Sequence, residues 1–304
     1  MTTVIDGNEI AAQIRRGLQE PIATLKRDGV TPGLATILMS DDPASETYVS
    51  MKQEACEAIG IDGHQYSIPP EAPEERLLEQ IDELNADPSI HGILVQMPVP
   101  DHVDEGAVLE RIDPRKDIDG FHPENVGRLV AGTPRFKPCT PHGIQRILAA
   151  TDVETDGADA VVVGRSEIVG KPLANLLLQK APGGNATVTV CHSHTTDLEA
   201  KTRAADIVVA AAGVPELIDG SMLEEGVVVV DVGVNRVEAN NEKGYKLVGD
   251  VDFESAKDKA SAITPVPGGV GPLTIAMLLF NTVKAAGMQT DTAVDLTTTP
   301  AEAT

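Results

Sequence analysis

The chain has no tryptophan, three tyrosines and four phenylalanines among its 304 residues. Aromatics make up 2% and hydrophobic residues 41%, so its cores must be aliphatic, built from Val, Ile, Leu and Ala. Basic residues are scarce too: 24 Lys and Arg stand against 47 Asp and Glu, a formal net charge of −23. Such a surface repels phosphate backbones and anionic lipid, which argues against nucleic-acid and membrane partners. The acids are dispersed (Glu71, Glu74, Glu75, Asp82, Glu83, Glu224, Glu225) rather than gathered into a tail, and read as a whole-surface adaptation to a salt-rich cytoplasm. Cysteine is sparse: Cys56, Cys139 and Cys191 lie far apart, without metal spacing or a disulfide framework, and fit a reducing cytosol. The first twenty residues lack an apolar signal core, and no apolar run approaches bilayer length. The expectation is a soluble cytoplasmic protein.

What is present alternates between strand and helix. The length suits two domains. In the first half, "GLATILM" and "HGILVQMPVP" read as buried strands, and "EERLLEQIDELNAD" as a helix with Leu77, Leu78, Ile81 and Leu84 at helical spacing. Residues 113–143, rich in Pro, Gly and charge, read as a long functional or linking loop. Then "ADAVVVGRSEIVGKPLANLLLQ", "ATVTVCHSHT", "ADIVVAAAG", "GVVVVDVGVN" and "ASAITPVPGG" supply short Val/Ile-rich runs, the mark of parallel strands buried on both faces. The reading is two α/β domains joining near Thr140, with a late helix, "GPLTIAMLLFNTVKAAG", packing back on the first. The Thr- and Ala-rich residues 289–304 are expected to be disordered.

Within the first half, "SETYVSMKQEACEAIG" carries helix signals: Asp42 as N-cap, Pro43 at the first position, Tyr48, Met51, Ala55 and Ile59 at helical spacing, and Gly60 as the stop. Residues four apart share a side, so the Tyr48 ring and the Lys52 amine can face one place. That arrangement is either a half-buried tyrosine beside a solvated lysine or an aromatic platform beside a catalytic amine.

In the second half, "VVVGRSEIVGKP" occupies the position of a dinucleotide phosphate turn, one residue longer than the usual fingerprint. Gly164 and Gly170 permit the turn, Arg165 and Ser166 offer donors, and the helix start favours an anion. The same glycines could serve strand–helix packing alone. The second strand ends in "TVCHSHTTD", without the carboxylate that would hold a ribose 2′-OH. This absence suits a 2′-phosphate contacted by Arg165, Ser166 and Ser193, hence NADP. Val234, beyond the strand "GVVVVDV", is a further candidate cofactor contact. His192 and His194 lack a third ligand, and no metal is expected.

Taken together, "ASETYVSMK", "GILVQMPVP", "DPRKDIDGFHPENVGRL", "KPCTPHG", "VVVGRSEIVGKP" and "ITPVPGGVGPLT" resemble the signatures of bifunctional methylenetetrahydrofolate dehydrogenase/methenyltetrahydrofolate cyclohydrolase, the FolD type. The resemblance implies a folate-binding catalytic domain over 1–139 with a returning helix near 273–287, and a Rossmann-like NADP-binding domain over 140–272. It implies oxidation of 5,10-methylenetetrahydrofolate, hydrolysis of the methenyl product to 10-formyltetrahydrofolate, and a homodimer. By the same resemblance Lys52 is the active-site lysine, Tyr48 the tyrosine one turn earlier, Gln96 the lysine's neighbour and Asp119 the carboxylate holding the pterin. In "TPVPGGVGPLT", Pro267, Gly268 and Gly269 are expected to complete the substrate site.

Overall fold

The structure, a computed structural model, describes residues 2–240 and 244–296. In chain order its strands are β1 (Thr3–Val4), β2 (Gly33–Leu38), β3 (Asp62–Ser67), β4 (Gly92–Val95), β5 (Asp159–Val163), β6 (Thr187–Cys191), β7 (Ile207–Ala210), β8 (Val228–Asp231), β9 (Asn235–Glu238), β10 (Tyr245–Val248) and β11 (Ala262–Ile263). Its helices are α1 (Gly7–Gly17), α2 (Gln19–Arg27), α3 (Pro43–Ile59), α4 (Glu74–Ala86), α5 (Glu105–Arg111), α6 (Pro123–Val130), α7 (Cys139–Ala150), α8 (Gly170–Leu178), α9 (Leu198–Arg203), α10 (Phe253–Lys257) and α11 (Val270–Gln289). Two compact units emerge. The first takes in Gln13–Cys139 and the chain from Ile275; the second takes in the chain up to Ala12 and Thr140–Thr274.

The first unit is built on a three-stranded parallel sheet in the order β3-β2-β4. Every residue of β2 and β4 is buried, as their unbroken apolar runs require. Helix α4 buries Leu77, Ile81 and Leu84 in the same core as Ile37 and Ile93. Beyond the end of that helix, the amine of Lys116 donates to Leu84 O at 2.8 Å and Asp87 O at 2.7 Å, satisfying carbonyls that the helix leaves open. The stretch 113–143 is not the plain loop its composition suggested: it contains α6 and the start of α7. Asp117 organises it, accepting from His122 N (2.8 Å), Phe121 N (3.2 Å) and Asn125 Nδ2 (2.8 Å). Asn125 in turn accepts from Arg135 at 2.7 Å. A buried carboxylate met by three donors is the condition under which such burial is tolerated.

Helix α11 corrects two expectations. It is long and apolar enough to cross a bilayer, contrary to the reading that no run approached that length, yet 78% of its apolar window is buried. From Ile275 on it is a core helix of the first unit, which agrees with the late helix expected to return there. The tail expected to be disordered from Gln289 is ordered at its start. Gln289 closes α11 and donates to His91 O at 2.7 Å, and Val294 lies against Gly287. The rest of that expectation, residues 297–304, lies outside the described residues.

The second unit carries a six-stranded parallel sheet ordered β1-β11-β8-β7-β5-β6. Counted from β5, this is the doubly wound order 2-1-3-4-5, whose ligand crevice lies beyond the carboxyl ends of the first and third strands, here β5 and β7. β7 and β8 are buried throughout, but β6 is not buried on both faces as expected. It is the sheet edge, with Thr187, Thr189 and Val190 exposed. Residues up to Ala12 pack with this unit. Thr3 and Val4 pair with Ala262 and Ile263, and Gly7 N donates to Gly268 O at 2.9 Å.

That docking requires glycine, because a Cβ on residue 7 would overlap the carbonyl oxygen of Gly269. Both partners are backbone and cannot swing aside. Gly7→Ala should therefore cost about 1–3 kcal/mol, the usual penalty of overpacking. A urea unfolding midpoint equal to wild type would show that the N-terminal segment contributes nothing to the second unit.

Candidate active site and nucleotide-binding loops

Helix α3 starts and stops where its local signals placed it. Asp42 Oδ2 accepts from Ser45 N at 3.1 Å, and Gly60 closes the helix at φ 83°. Its buried stripe is not the one that revealed the helix. Ser45, Val49, Lys52 and Cys56 face inward, while Tyr48 and Met51 are 46% and 47% exposed. Tyr48 thus offers a ring to solvent one turn from an amine that is nearly enclosed.

Lys52, 9% exposed, donates from Nζ to Gln96 Oε1 at 2.7 Å. Gln96 follows β4 and is fixed twice. Its N–H reaches Ile37 O at 2.8 Å, and its Nε2 donates to Met97 O at 2.8 Å, which turns the amide oxygen toward the lysine. Burial lowers the pKa of Lys52 below the ordinary lysine value, opposed by the charge of Asp119 and then of Cys139. Asp119 is half-buried, and its pKa is pushed up to about 6 by burial, with Lys52 pulling down, Asp117 pushing up and a hydrogen bond from Cys139 pulling down. The amine and the carboxyl are therefore close enough for each to shift the other's titration.

Two residues of this site went unseen in the sequence. Cys139 opens α7 and is buried; burial raises its thiol well above the ordinary cysteine value, and the neighbouring Asp119 adds to the effect. Asn281 lies on α11, where Nδ2 donates to Ile118 O (2.7 Å) and Lys137 O (3.0 Å) and approaches Cys139 Sγ at 3.7 Å. It ties together the backbone just before Asp119 and just before Cys139. An amide in the otherwise apolar "AMLLFNTV" was the available signal, because a buried amide must find partners.

In the second unit, β5 ends at Val163 and α8 begins at Gly170. Gly164 has φ 134°, and a Cβ there would overlap Ala211 O; a Cβ on Gly170 would overlap Gly164 O. The turn is closed so tightly that only glycine fits at either point. Arg165 and Ser166 stand exposed on it. Ser166 Oγ accepts from Val169 N (3.2 Å) and Gly170 N (3.3 Å), leaving its own O–H to donate. Glycine-lined backbone, a helix start, a cation and a hydroxyl fit a dinucleotide's phosphates. After β6, Ser193 is exposed in a turn closed by Thr195 N to His192 O at 2.7 Å. The first carboxylate beyond it, Asp197, is taken up in accepting from Ala200 N at the start of α9. Val234 is 50% exposed. Pro267, Gly268 and Gly269 lie in this second unit, with Gly268 at φ 104°.

Residues 5–119 match the tetrahydrofolate dehydrogenase/cyclohydrolase catalytic domain, and residues 138–290 match the NAD(P)-binding domain of the same family. The chain is 72% identical over 289 residues to bifunctional protein FolD 2 of Haloarcula marismortui, covering 95% of this chain and 97% of that one. Among solved structures, the FolD methylenetetrahydrofolate dehydrogenase/cyclohydrolase of Campylobacter jejuni matches with TM-score 0.89 and 49% identity, over 95% of this chain and 99% of that one. The Trypanosoma brucei enzyme, solved with NADP cofactor and inhibitor, matches with TM-score 0.90 and 41% identity, over 95% and 98%. Matches to both domains in order, over nearly the whole length of each relative, place the chain in one family: it belongs to the tetrahydrofolate dehydrogenases/cyclohydrolases.

Proposed function

We propose that the chain oxidises 5,10-methylenetetrahydrofolate to the 5,10-methenyl cation with NADP and then hydrolyses that cation to 10-formyltetrahydrofolate. The observation that carries this reading is the buried Lys52 amine held 2.7 Å from the neutral Gln96 amide, beside a carboxyl of raised pKa. The pterin's pyrimidine edge presents adjacent N–H donors, and ionised Asp119 can accept two of them. Tyr48, exposed one turn before Lys52, offers a flat face for the folate's aromatic portion.

For hydrolysis, water adds to the cationic carbon between N5 and N10 and loses a proton. Lys52 in its neutral form takes that proton; burial favours this form, and Gln96 orients the amine without clamping it as an ion. The adduct's hydroxyl then gives up its proton as the C=O forms and the carbon–N5 bond breaks, N5 takes up a proton in its place, and the formyl group remains on N10. Bound NADP+ supplies the hydride acceptor for the first reaction. Gly164, Arg165, Ser166 and Gly170 would hold its phosphates, and the absence of a carboxylate at the tip of β6 leaves Ser193 and Arg165 free to meet a 2′-phosphate. Pro267, Gly268 and Gly269 are read as substrate contacts, their stiff, glycine-lined backbone suiting close approach to a ring.

The acids singled out in the sequence sit on the surface: Glu71, Glu75, Asp82, Glu83, Glu224 and Glu225 are exposed and Glu74 half-buried. This supports adaptation to a salt-rich cytoplasm. The edge strand β6 exposes Val190, and Leu178 on the neighbouring α8 is 55% exposed. A free edge beside apolar side chains is a surface that a second copy would cover, giving a two-fold dimer.

Lys52→Met keeps the stem and deletes the amine. Hydrolysis of the methenyl substrate, followed by its absorbance, should fall at least about a hundredfold, the typical share of a general acid–base group, with NADP affinity unchanged. Wild-type hydrolysis by this variant would remove Lys52 from the step. Folate affinity should climb as pH rises through about 6, because Asp119 must be ionised to accept from the pterin. Binding titrations between pH 5 and 8 should show that limb in the wild type and none in Asp119→Asn. A dimer carrying −23 on each chain should be firm near molar salt, where the Debye length is about 3 Å, and loosen at low salt. Light scattering across a salt series that finds a monomer throughout would refute the β6 interface.

A further inference from the structure

Two carboxylates in the second unit have no part in the chemistry above, yet both are buried: Asp250 is 0% and Asp231 4% exposed. Among the described residues they accept six hydrogen bonds between them, all from N–H groups. Asp250 Oδ2 accepts from Ala212 N (2.6 Å) and Gly213 N (2.8 Å), and its Oδ1 from Asn235 Nδ2 (2.8 Å). Asp231 Oδ1 accepts from Gly233 N and Asp250 N, both at 2.9 Å, and its Oδ2 from Val251 N at 3.0 Å. Glycine accommodates them: a Cβ on Gly233 would overlap the Asp250 carboxylate, and one on Gly249 the Asp231 carboxylate. Gly213, at φ 67°, lets successive N–H groups converge on one oxygen.

The place of this cluster matters. Ala211, Ala212 and Gly213 leave the carboxyl end of β7, on one side of the crevice where a doubly wound sheet takes its ligand. Ala211 O abuts Gly164 of the phosphate turn, so a shift in this loop is felt there directly. Val234 is held on both sides, through Gly233 by Asp231 and through Asn235 by Asp250. Burying carboxylates costs free energy: the pKa of Asp231 is pushed up to about 6 by burial, opposed by its N–H donors. Replacing Asp250 by an apolar side chain would remove the ties its oxygens make to Ala212 and Gly213 after β7 and to Asn235 after β8.

We propose that Asp250 is a positioning residue for the dinucleotide: its carboxylate fixes the loop after β7 through Ala212 and Gly213 and the loop after β8 through Asn235, holding both in the shape that accepts NADP. This rests on the dehydrogenase reading. The residue acts through backbone, so its effect belongs to nucleotide affinity and not to the folate chemistry of Lys52.

Calorimetric titration with NADP, run beside cyclohydrolase turnover and a thermal melt, separates the cases. Asp250→Ala should raise the NADP dissociation constant roughly tenfold or more, equivalent to about 1.4 kcal/mol. Cyclohydrolase turnover, which consumes no nucleotide, should keep its KM for folate. Asp250→Asn should bind NADP nearly as the wild type, since one amide oxygen can serve Ala212 and Gly213 while Asn235 turns its own oxygen to the new NH2. If Asp250→Ala does not fold, Asn235→Ala decides, with a severalfold weaker NADP affinity expected. Wild-type NADP affinity in a folded Asp250→Ala, or in Asn235→Ala when the former fails, overturns the proposal, as does an equal loss of NADP binding and cyclohydrolase turnover. Failure of the wild type to turn over methylenetetrahydrofolate with NADP would instead reject the dehydrogenase reading.

Discussion

An amine taken out of water and given a neutral partner is the constraint around which the first unit is arranged. Charged Lys52 at 9% exposure loses hydration worth several kcal/mol, and an ion pair at hydrogen-bond distance would lock it in that charged state. The amide of Gln96 avoids both extremes, provided its oxygen and not its nitrogen faces the lysine. That orientation depends on Met97 O, the placing of Gln96 depends on Ile37, and Asp119, near enough to act on the amine by charge alone, depends on the loop that Asp117 gathers. The aliphatic sheet beneath is the rigid bed these distances require.

The second unit solves a different problem with the same materials. Its loops are shaped by removing side chains and by supplying acceptors. Glycines at 164 and 170 bring strand, turn and helix into contact, while buried carboxylates hold loops by their N–H groups. In so acidic a chain, most carboxylates serve solvent; among the described residues, Asp117, Asp231 and Asp250 are enclosed and met by several donors each. Acidity of composition thus conceals two distinct uses of one side chain.

What could be read from the sequence was local. Asp42 and Gly60 bracket α3 because cap bonds span three or four residues, and the glycine turn after β5 is legible for the same reason. The pairing of Lys52 with Gln96 was reached through motif resemblance, since 44 residues separate them and no period links them. The inward face of α3 is not legible in the sequence, because its buried stripe contains Ser45 and Lys52, polar residues that a hydrophobic count passes over. β1 looked like the opening strand of the first domain, yet its partner is β11, more than two hundred residues on. Asn281 and Asp250 escaped because what they hold is distant backbone, and backbone leaves no mark on composition.

Neither unit is a continuous piece of chain. The first unit is completed by residues from Ile275, and the second draws on residues up to Ala12. Ribosomal synthesis delivers domains from the N-terminus at about 5–20 residues per second. The sheet of the first unit is therefore made early, but the amide that holds the segment before Asp119 lies on α11, after the described strands of both sheets. Until α11 leaves the exit tunnel, Ile118 O and Lys137 O lack the donor that Asn281 brings. A chain terminated before Asn281 would carry the glycine turn after β5 in full and lack the amide that holds Ile118 O and Lys137 O.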